Sequence, residues 1–512
     1  MYYKFWGKTE EKEYHLLAYH GLDACSVAQE WLDLHRPLVQ FLADNVKLSH
    51  DILRGILLLF TALHDVGKFS ITFQNICPDF LRKLQDCESK KGYPIRHDQL
   101  GWMLWCRVLR NHLMGHLHKQ SPLVKKEHTC IEELLDVFAR IAFGHHGLPP
   151  KQPDDSQFDS CFREPDRASA KSYMDDLLPM VLPDESLRDI SQWAKLPKQQ
   201  RKVAVAHWKT RSWQFAGVIV LSDWIASGKL FPFHNKHQPL TEYYAECRET
   251  ARRAFGSIGL YSAAPPSSTG FEHLFPDYAD CPTPLQRFCD TITLTGGPQL
   301  WVLEDVTGSG KTEAACTLVS RMMKEKLATG VYVGLPTMAT SNAMYERLAN
   351  VYHLFFSSDS RPSLVLSHGA RHLSKAFRKS YSLIQSDMNR DGAEDSSANC
   401  SAWLADSTKK SLLADVGIGT LDQVLLGSSH HDTSSGAQEE WARAIFVEKA
   451  LAKRPGRRRR SESVWKCTTT GQRRHVSVDE GDKSQRESRN RTPPERMPSV
   501  PYVLRNAAAY PS

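Results

Sequence analysis

Apolar residues recur at three- and four-residue steps through residues 15–34 and 51–63, the spacing that lines one face of an α-helix. The same period returns at 131–143 and 213–226, so residues 1–235 read as mostly helical. The stretch 149–166 is polar and rich in Pro and Asp, as a surface loop is. A second break at 255–284 holds SAAPPSSTG and PDYADCPTP. These segments are dense in turn formers and mark a domain boundary. Beyond it the pattern changes. Short apolar runs, PQLWVLE (298–304), GVYVGLP (330–336) and SLVLS (363–367), alternate with helical stretches. That order predicts a parallel α/β sheet. Residues 384–400 are expected to be a flexible insertion. After Gly427 the text becomes charged and poor in aliphatics, the composition of disorder. The expected organisation is multidomain: an all-α domain over 1–235, a linker over 236–284, a partial α/β phosphate-loop lobe over 285–427, and a disordered basic tail over 428–512.

Charge changes this picture only at the end of the chain. The net charge is +7, but residues 451–512 hold 15 Lys+Arg against 6 Asp+Glu. The body is therefore slightly acidic, and any nucleic-acid contact there must come from local patches. No run of about 18 uncharged apolar residues occurs, so no membrane span is expected. The N-terminus lacks the pattern of a signal peptide. Twelve cysteines are scattered without a CxxC. They predict neither a zinc ribbon nor a disulfide framework, and fit a reducing, cytoplasmic setting.

The sharpest candidate chemistry is His64-Asp65 in LFTALHDVGKF, where an apolar helical run ends. Imidazole suits transition metals, and a carboxylate can bridge two ions. Gly67 is expected to let the chain turn and a phosphate approach, with Lys68 close enough to meet that phosphate. Further candidates are His20 in AYHGLDA, His97 in YPIRHDQL, the pair His145-His146 in FGHHGLPP, and Asp223 in VLSDWIAS. A charge such as Asp223 inside an apolar helix is costly unless paired or bound to metal. His15, His35 and His50 read as structural. His112, His116 and His118 have the spacing of a metal cluster but read as a solvated helix face.

The ordered pattern His, His-Asp, His, His-His, Asp resembles the HD phosphohydrolase superfamily. With ALHDVGKF, Arg-His-Asp, GHHG and SDW together, residues 1–235 are similar to the HD nuclease domain of type I CRISPR-associated nuclease–helicases. The resemblance implies two divalent transition-metal ions (Fe, Mn, Co or Ni) held by His20, His64, Asp65, His97, His145, His146 and Asp223. It implies that Asp65 bridges the ions, that Lys68 contacts substrate phosphate, and that the substrate is single-stranded DNA. Asp98 stands where the family often has Glu.

VLEDVTGSGKTEAAC (302–316) reads as a strand, a glycine-bearing loop and a helix. Gly308, Ser309 and Gly310 are expected to turn backbone N–H groups to phosphate, Lys311 to reach the β/γ-phosphates of ATP, and Thr312 to hold Mg²⁺. Asp305 occupies the first position of the usual pattern. Pro284-Leu285-Gln286 resembles the helicase glutamine motif that reads adenine. GLPTMATSNAMYERL (334–348) resembles the motif that grips a DNA strand, with Pro336 and Thr337 facing its backbone. LSHGAR (366–371) and DVGIGTLDQVLLG (415–427) continue the likeness to the same nuclease–helicases. Their next motif, Asp-Glu-x-His, does not occur in 428–512. The expectation is a truncated or frameshifted family member with impaired unwinding. Its nuclease would be recruited by a guide-RNA surveillance complex. Two other readings stay open: an HD phosphohydrolase of nucleotides, and a non-catalytic decoy or partner-binding protein.

Overall fold

The computed structural model describes residues 1–10, 12–152, 155–258, 260–261, 263–296, 299–367 and 413–422, and the backbone of three strands beyond them. It divides into two compact units, the first covering residues 1–256 and the second starting at 257.

The first unit opens with a hairpin of β1 (Trp6–Glu10) and β2 (Glu13–Leu16), which leads straight into α1 (Leu17–Leu34). Then come α2 (Arg36–Val46), α3 (His50–Ala62), two short helices α4 (Ile71–Gln74) and α5 (Pro78–Gln85), and α6 (His97–Leu104). The remainder is α7 (Arg110–Gln120), α8 (Lys125–Ala142), the short α9 (Phe158–Cys161), α10 (Glu164–Val181), α11 (Asp184–Trp193), the long α12 (Lys198–Ala226) and α13 (Leu240–Ile258). The helical prediction for 1–235 is met. α1 and α3 are apolar nearly all round and lie at the centre, with α1 packed on both α3 and α12. α3 starts where the Ser49 hydroxyl accepts the Ile52 N–H at 3.3 Å, an N-cap worth about 1 kcal/mol.

Residues 240–258, expected to be linker, instead form α13 of the first unit. Leu240, Tyr243, Cys247, Ala251, Ala254, Phe255 and Ile258 are all buried. Their three- and four-residue spacing lies hidden among charges. Tyr243 stacks on Tyr19 with ring centroids 4.0 Å apart, and its hydroxyl donates to Asp23 Oδ1 at 2.9 Å.

The second unit carries the short α14 (Phe271–Leu274), α15 (Pro284–Thr291), β3 (Leu300–Asp305), α16 (Lys311–Lys324), β4 (Gly330–Leu335), α17 (Met338–Leu348), β5 (Leu364–Ser367) and β6 (Val416–Thr420). Three further strands follow: β7 (Arg443–Ala450), β8 (Ser463–Thr468) and β9 (Arg473–Ser477). The sheet order is β5-β6-β4-β7-β8-β3-β9. The three strands anticipated from apolar runs appear within two residues of their expected bounds. The sheet is mixed rather than parallel, because β8 runs antiparallel to both β7 and β3. Within 428–512, expected to be a disordered tail, the three strands β7, β8 and β9 are what the structure describes. The runs AIFV and SVW carry strand-forming residues that a composition averaged over the whole tail conceals. The remainder of that tail, the insertion at 384–400, and parts of the LSHGAR and TLDQ motifs lie outside the described residues.

Candidate metal centre and phosphate loop

Each candidate ligand of the first unit sits at a place where a helix begins or ends. His20 is in the first turn of α1. His64 and Asp65 directly follow α3. His97 is the first residue of α6, His145 and His146 follow α8, and Asp223 lies in the last turn of α12. The fold brings all seven together in two touching groups: His20, His64, Asp65 and Asp223 in one, and His97, His145 and His146 in the other.

Asp65 joins the groups. Its Oδ2 lies 3.1 Å from His20 Nε2 and 3.4 Å from His64 Nε2. Its Oδ1 lies 3.3 Å from His97 Nε2 and 3.7 Å from His145 Nε2. Asp223 Oδ1 stands 3.3 Å from His20 Nε2 and 3.6 Å from His64 Nε2. His97 and His146 present their Nε2 atoms to each other at 2.8 Å.

The donor set fits divalent transition metal. His20 Nε2, His64 Nε2, His145 Nε2 and Asp65 Oδ1 are buried and make no hydrogen bond of good geometry, an expensive arrangement unless something binds them. Two of the rings are already oriented. The Nδ1 atoms of His64 and His145 lie 2.8 Å from the Thr61 carbonyl and 2.7 Å from the Ala142 carbonyl. A carbonyl only accepts, so Nδ1 carries a hydrogen on both rings and Nε2 is turned inward. Burial pushes His97 down to about 4 and His145 down to about 3, and it lowers His20 and His146 as well. Neutral imidazole is the ligating form. Burial alone would raise Asp65, but Lys68 and the surrounding histidines hold it well below the usual carboxylate range. His64 goes the other way. Burial lowers it, yet Asp65 and Asp223 outweigh that and lift it to about 10. The two carboxylates thus demand positive charge at that point.

The centre opens into a cleft of about 470 Å³. Lys68 lies on its wall, with Nζ 2.7 Å from Asp65 Oδ2 and donating to the Gly7 carbonyl at 3.1 Å. Gly67 serves a different purpose from the one expected. A Cβ there would sit 1.9 Å from the His97 carbonyl and 2.4 Å from Gly101 N. It therefore admits the start of α6, and with it His97, rather than a phosphate.

Two residues of the site escaped the sequence. Lys8 of β1 lines the same cleft, and its Nζ donates to the Ala226 carbonyl at 2.9 Å. Burial brings its ammonium down to about 8. Tyr93 accepts the His97 backbone N–H at 2.5 Å, and its hydroxyl meets His97 Nδ1 at 3.1 Å, fixing that ring. Neither belongs to a local motif, and only the tertiary fold reveals them. His15, expected to be structural, bonds Asp23 at 2.9 Å and accepts the His234 N–H at 2.8 Å.

In the second unit, β3 passes through a loop into α16 as anticipated. Gly310 caps that helix at φ +77°, and a Cβ there would stand 2.0 Å from Gln286 Nε2. Lys311 turns back into the loop and donates to the carbonyls of Asp305 (3.0 Å) and Val306 (2.5 Å). Thr283 and Gln286 at the start of α15 hold the same loop, donating to the carbonyls of Ser309 (3.1 Å) and Gly310 (3.2 Å). Thr312 accepts from Arg347 at 3.0 Å. Gly308, at φ +88°, is exposed. Pro336 and Thr337 are exposed after β4, where Thr337 caps α17 by accepting the Thr340 N–H at 3.2 Å.

Comparison with known proteins finds the family described as Cas3, HD domain, over residues 6–231. The CRISPR-associated endonuclease/helicase Cas3 of Escherichia coli K12 is 28% identical over 82% of this chain and 47% of its own. The Thermus thermophilus protein of the same name is 28% identical over 82% of this chain and 43% of its own. The chain thus spans about half the length of the curated relatives it matches. The crystal structure of T. fusca Cas3-AMPPNP shares the fold, with a TM-score of 0.62 at 19% identity over 88% of this chain and 47% of that one.

Proposed function

Residues 6–231 belong to the Cas3 HD-domain family, and from that premise we propose that this chain is a metal-dependent nuclease that cuts single-stranded DNA in type I CRISPR interference. The observation that carries this reading is the convergence of buried donor atoms around Asp65 that make no hydrogen bond of good geometry. His20, His64, Asp65 and Asp223 would hold one divalent ion. Asp65, His97, His145 and His146 would hold a second. Bound ions of this kind supply a hydroxide near neutral pH and neutralise charge on the phosphate. Lys68 and Lys8 point ammonium groups into the cleft, where they bind the phosphodiester and orient it over the centre. Tyr93 and the Thr61 and Ala142 carbonyls keep the imidazoles in register.

The phosphate loop, with Gly308, Ser309, Gly310, Lys311 and Thr312, is assigned to ATP and Mg²⁺ in a RecA-like lobe. Gln286 would contact the nucleotide, and Pro336 and Thr337 would face DNA. We assign nucleotide binding to these residues. A guide-RNA surveillance complex is the partner that would deliver the displaced strand. A cytoplasmic setting agrees with the ten free cysteines among the described residues, and no described helix is long and apolar enough to cross a membrane.

The test is incubation with circular single-stranded DNA and Mn²⁺ or Ni²⁺, without ATP, beside an Asp65→Ala control. A circle has no ends and is not a nucleotide, so its cleavage separates a nuclease from a nucleotide phosphohydrolase. Cleavage that disappears in Asp65→Ala is the expected result. A folded chain that cuts nothing with any transition metal would contradict the proposal.

A further inference from the structure

His112 and His116 lie four residues apart on α7, so their rings leave the helix on one face, one turn apart. On the helix face that the sequence suggests is solvated, both rings are partly exposed. Both turn their Nε2 atoms onto a single carboxylate oxygen of another helix, Asp175 Oδ1 of α10, at 2.6 and 2.8 Å. The rings stand nearly perpendicular, with centroids 5.1 Å apart. His118, the third histidine of the run, takes no part. Its Nδ1 accepts the Leu123 N–H at 3.1 Å. The neighbouring Asp176 is engaged elsewhere, accepting from the Tyr2 hydroxyl at 2.5 Å.

We propose that His112, His116 and Asp175 form a second metal site, separate from the cleft, which takes one Zn²⁺ and clamps α7 to α10. The three ligand atoms lie within 4.8 Å of one another. Two imidazole nitrogens and one carboxylate oxygen are a three-ligand zinc set, completed to a tetrahedron by water. The side chains are 25%, 30% and 43% exposed, which leaves the outward position open to that water. Metal–ligand bonds of about 2.0–2.2 Å at tetrahedral angles put neighbouring donors about 3.3 Å apart. The present contacts are shorter by roughly half an ångström, an opening that side-chain torsions of partly exposed residues supply.

Without metal, both rings must present an Nε2 hydrogen to the same oxygen. With metal, each neutral ring carries its hydrogen on outward Nδ1, and the inner nitrogens become lone pairs. Among divalent ions at such a mixed N/O site, Zn²⁺ and its neighbours late in the first row bind more tightly than Mn²⁺. The clamp joins residues 59 and 63 positions apart in the chain, so an ion there restrains a long loop.

The experiment uses the full chain stripped by chelation and then dialysed to equilibrium against Zn²⁺, with bound metal counted per chain. His116→Gln and Asp175→Asn, on different helices, are compared with the parent and with His118→Gln. Circular dichroism establishes that each variant is folded. The expected result is one zinc fewer in both cluster variants, the parent's count in His118→Gln, and unchanged Mn²⁺-dependent cleavage throughout. The zinc-induced rise in Tm should shrink in the same two variants. Cluster variants that bind as much zinc as the parent would overturn the proposal and leave the three residues as hydrogen-bonded neighbours only.

Discussion

Asp65 divides its two oxygens between two sets of histidines, and Lys68 and Lys8 stand in the same cleft. Lys68 is tied to Asp65 at 2.7 Å, so part of its charge is already spent on the ligand. Lys8 has no carboxylate at that distance and lines the same cleft. It is therefore the better-placed cation for a phosphodiester. Lys8→Met keeps the stem and removes the charge. Hydrogen bonds from a charged group contribute about 1.5–3 kcal/mol, so kcat/KM for DNA cleavage should fall about ten- to hundred-fold, with metal stoichiometry unchanged. Equal rates in parent and variant would remove Lys8 from the site. At this scale the sequence was informative about which residues converge, because each lies in a short distinctive string at a helix end. It was silent about Lys8 and Tyr93, whose roles exist only once β1 and the start of α6 meet the cleft.

At the scale of elements, the end of α1 carries a pH-sensitive contact. His35 caps that helix and packs on Trp31 with ring centroids 4.2 Å apart. Burial pushes its imidazole down to about 4, against about 6.5 in an unfolded chain. Between those values the unfolded chain binds more protons, so stability rises with pH through the window. The contribution is fully present above about 6.5 and is lost as pH falls toward 4. The slope is at most about 1.4 kcal/mol per pH unit, and less for a ring that keeps some solvent contact. His35→Gln should therefore flatten the decline in denaturant stability between pH 7 and pH 5. Parallel curves for parent and variant would contradict this.

The elements also show where periodicity is and is not legible. α1 and α3 announce themselves because apolar residues dominate them. α13 has an equally regular buried stripe, but Glu and Arg fill the intervening positions, and the segment just after it is dense in turn formers. β7 and β8 are likewise short strand-forming runs, on either side of a strongly basic stretch. Gly67 illustrates a third kind of miss. Its need for space was readable, but what fills that space, the His97 carbonyl, was not.

For the whole molecule, the candidate metal centre joins residues from five separate places in the first unit, from α1 to α12. Ions bound there stabilise the folded form alone, by about 2.7 kcal/mol at a hundredfold excess over Kd. Calorimetry of the chain with Mn²⁺ and after EDTA should show the thermal transition of the first unit falling on chelation and recovering when Mn²⁺ is restored. A transition indifferent to chelation would mean that the seven residues hold no ion in the folded chain.

The most direct test is anomalous diffraction from crystals of the chain grown with Mn²⁺ or Ni²⁺. The account predicts two peaks, one within coordination distance of His20, His64, Asp65 and Asp223, the other of Asp65, His97, His145 and His146. Ordered side chains at these seven positions with no anomalous density between them would contradict it.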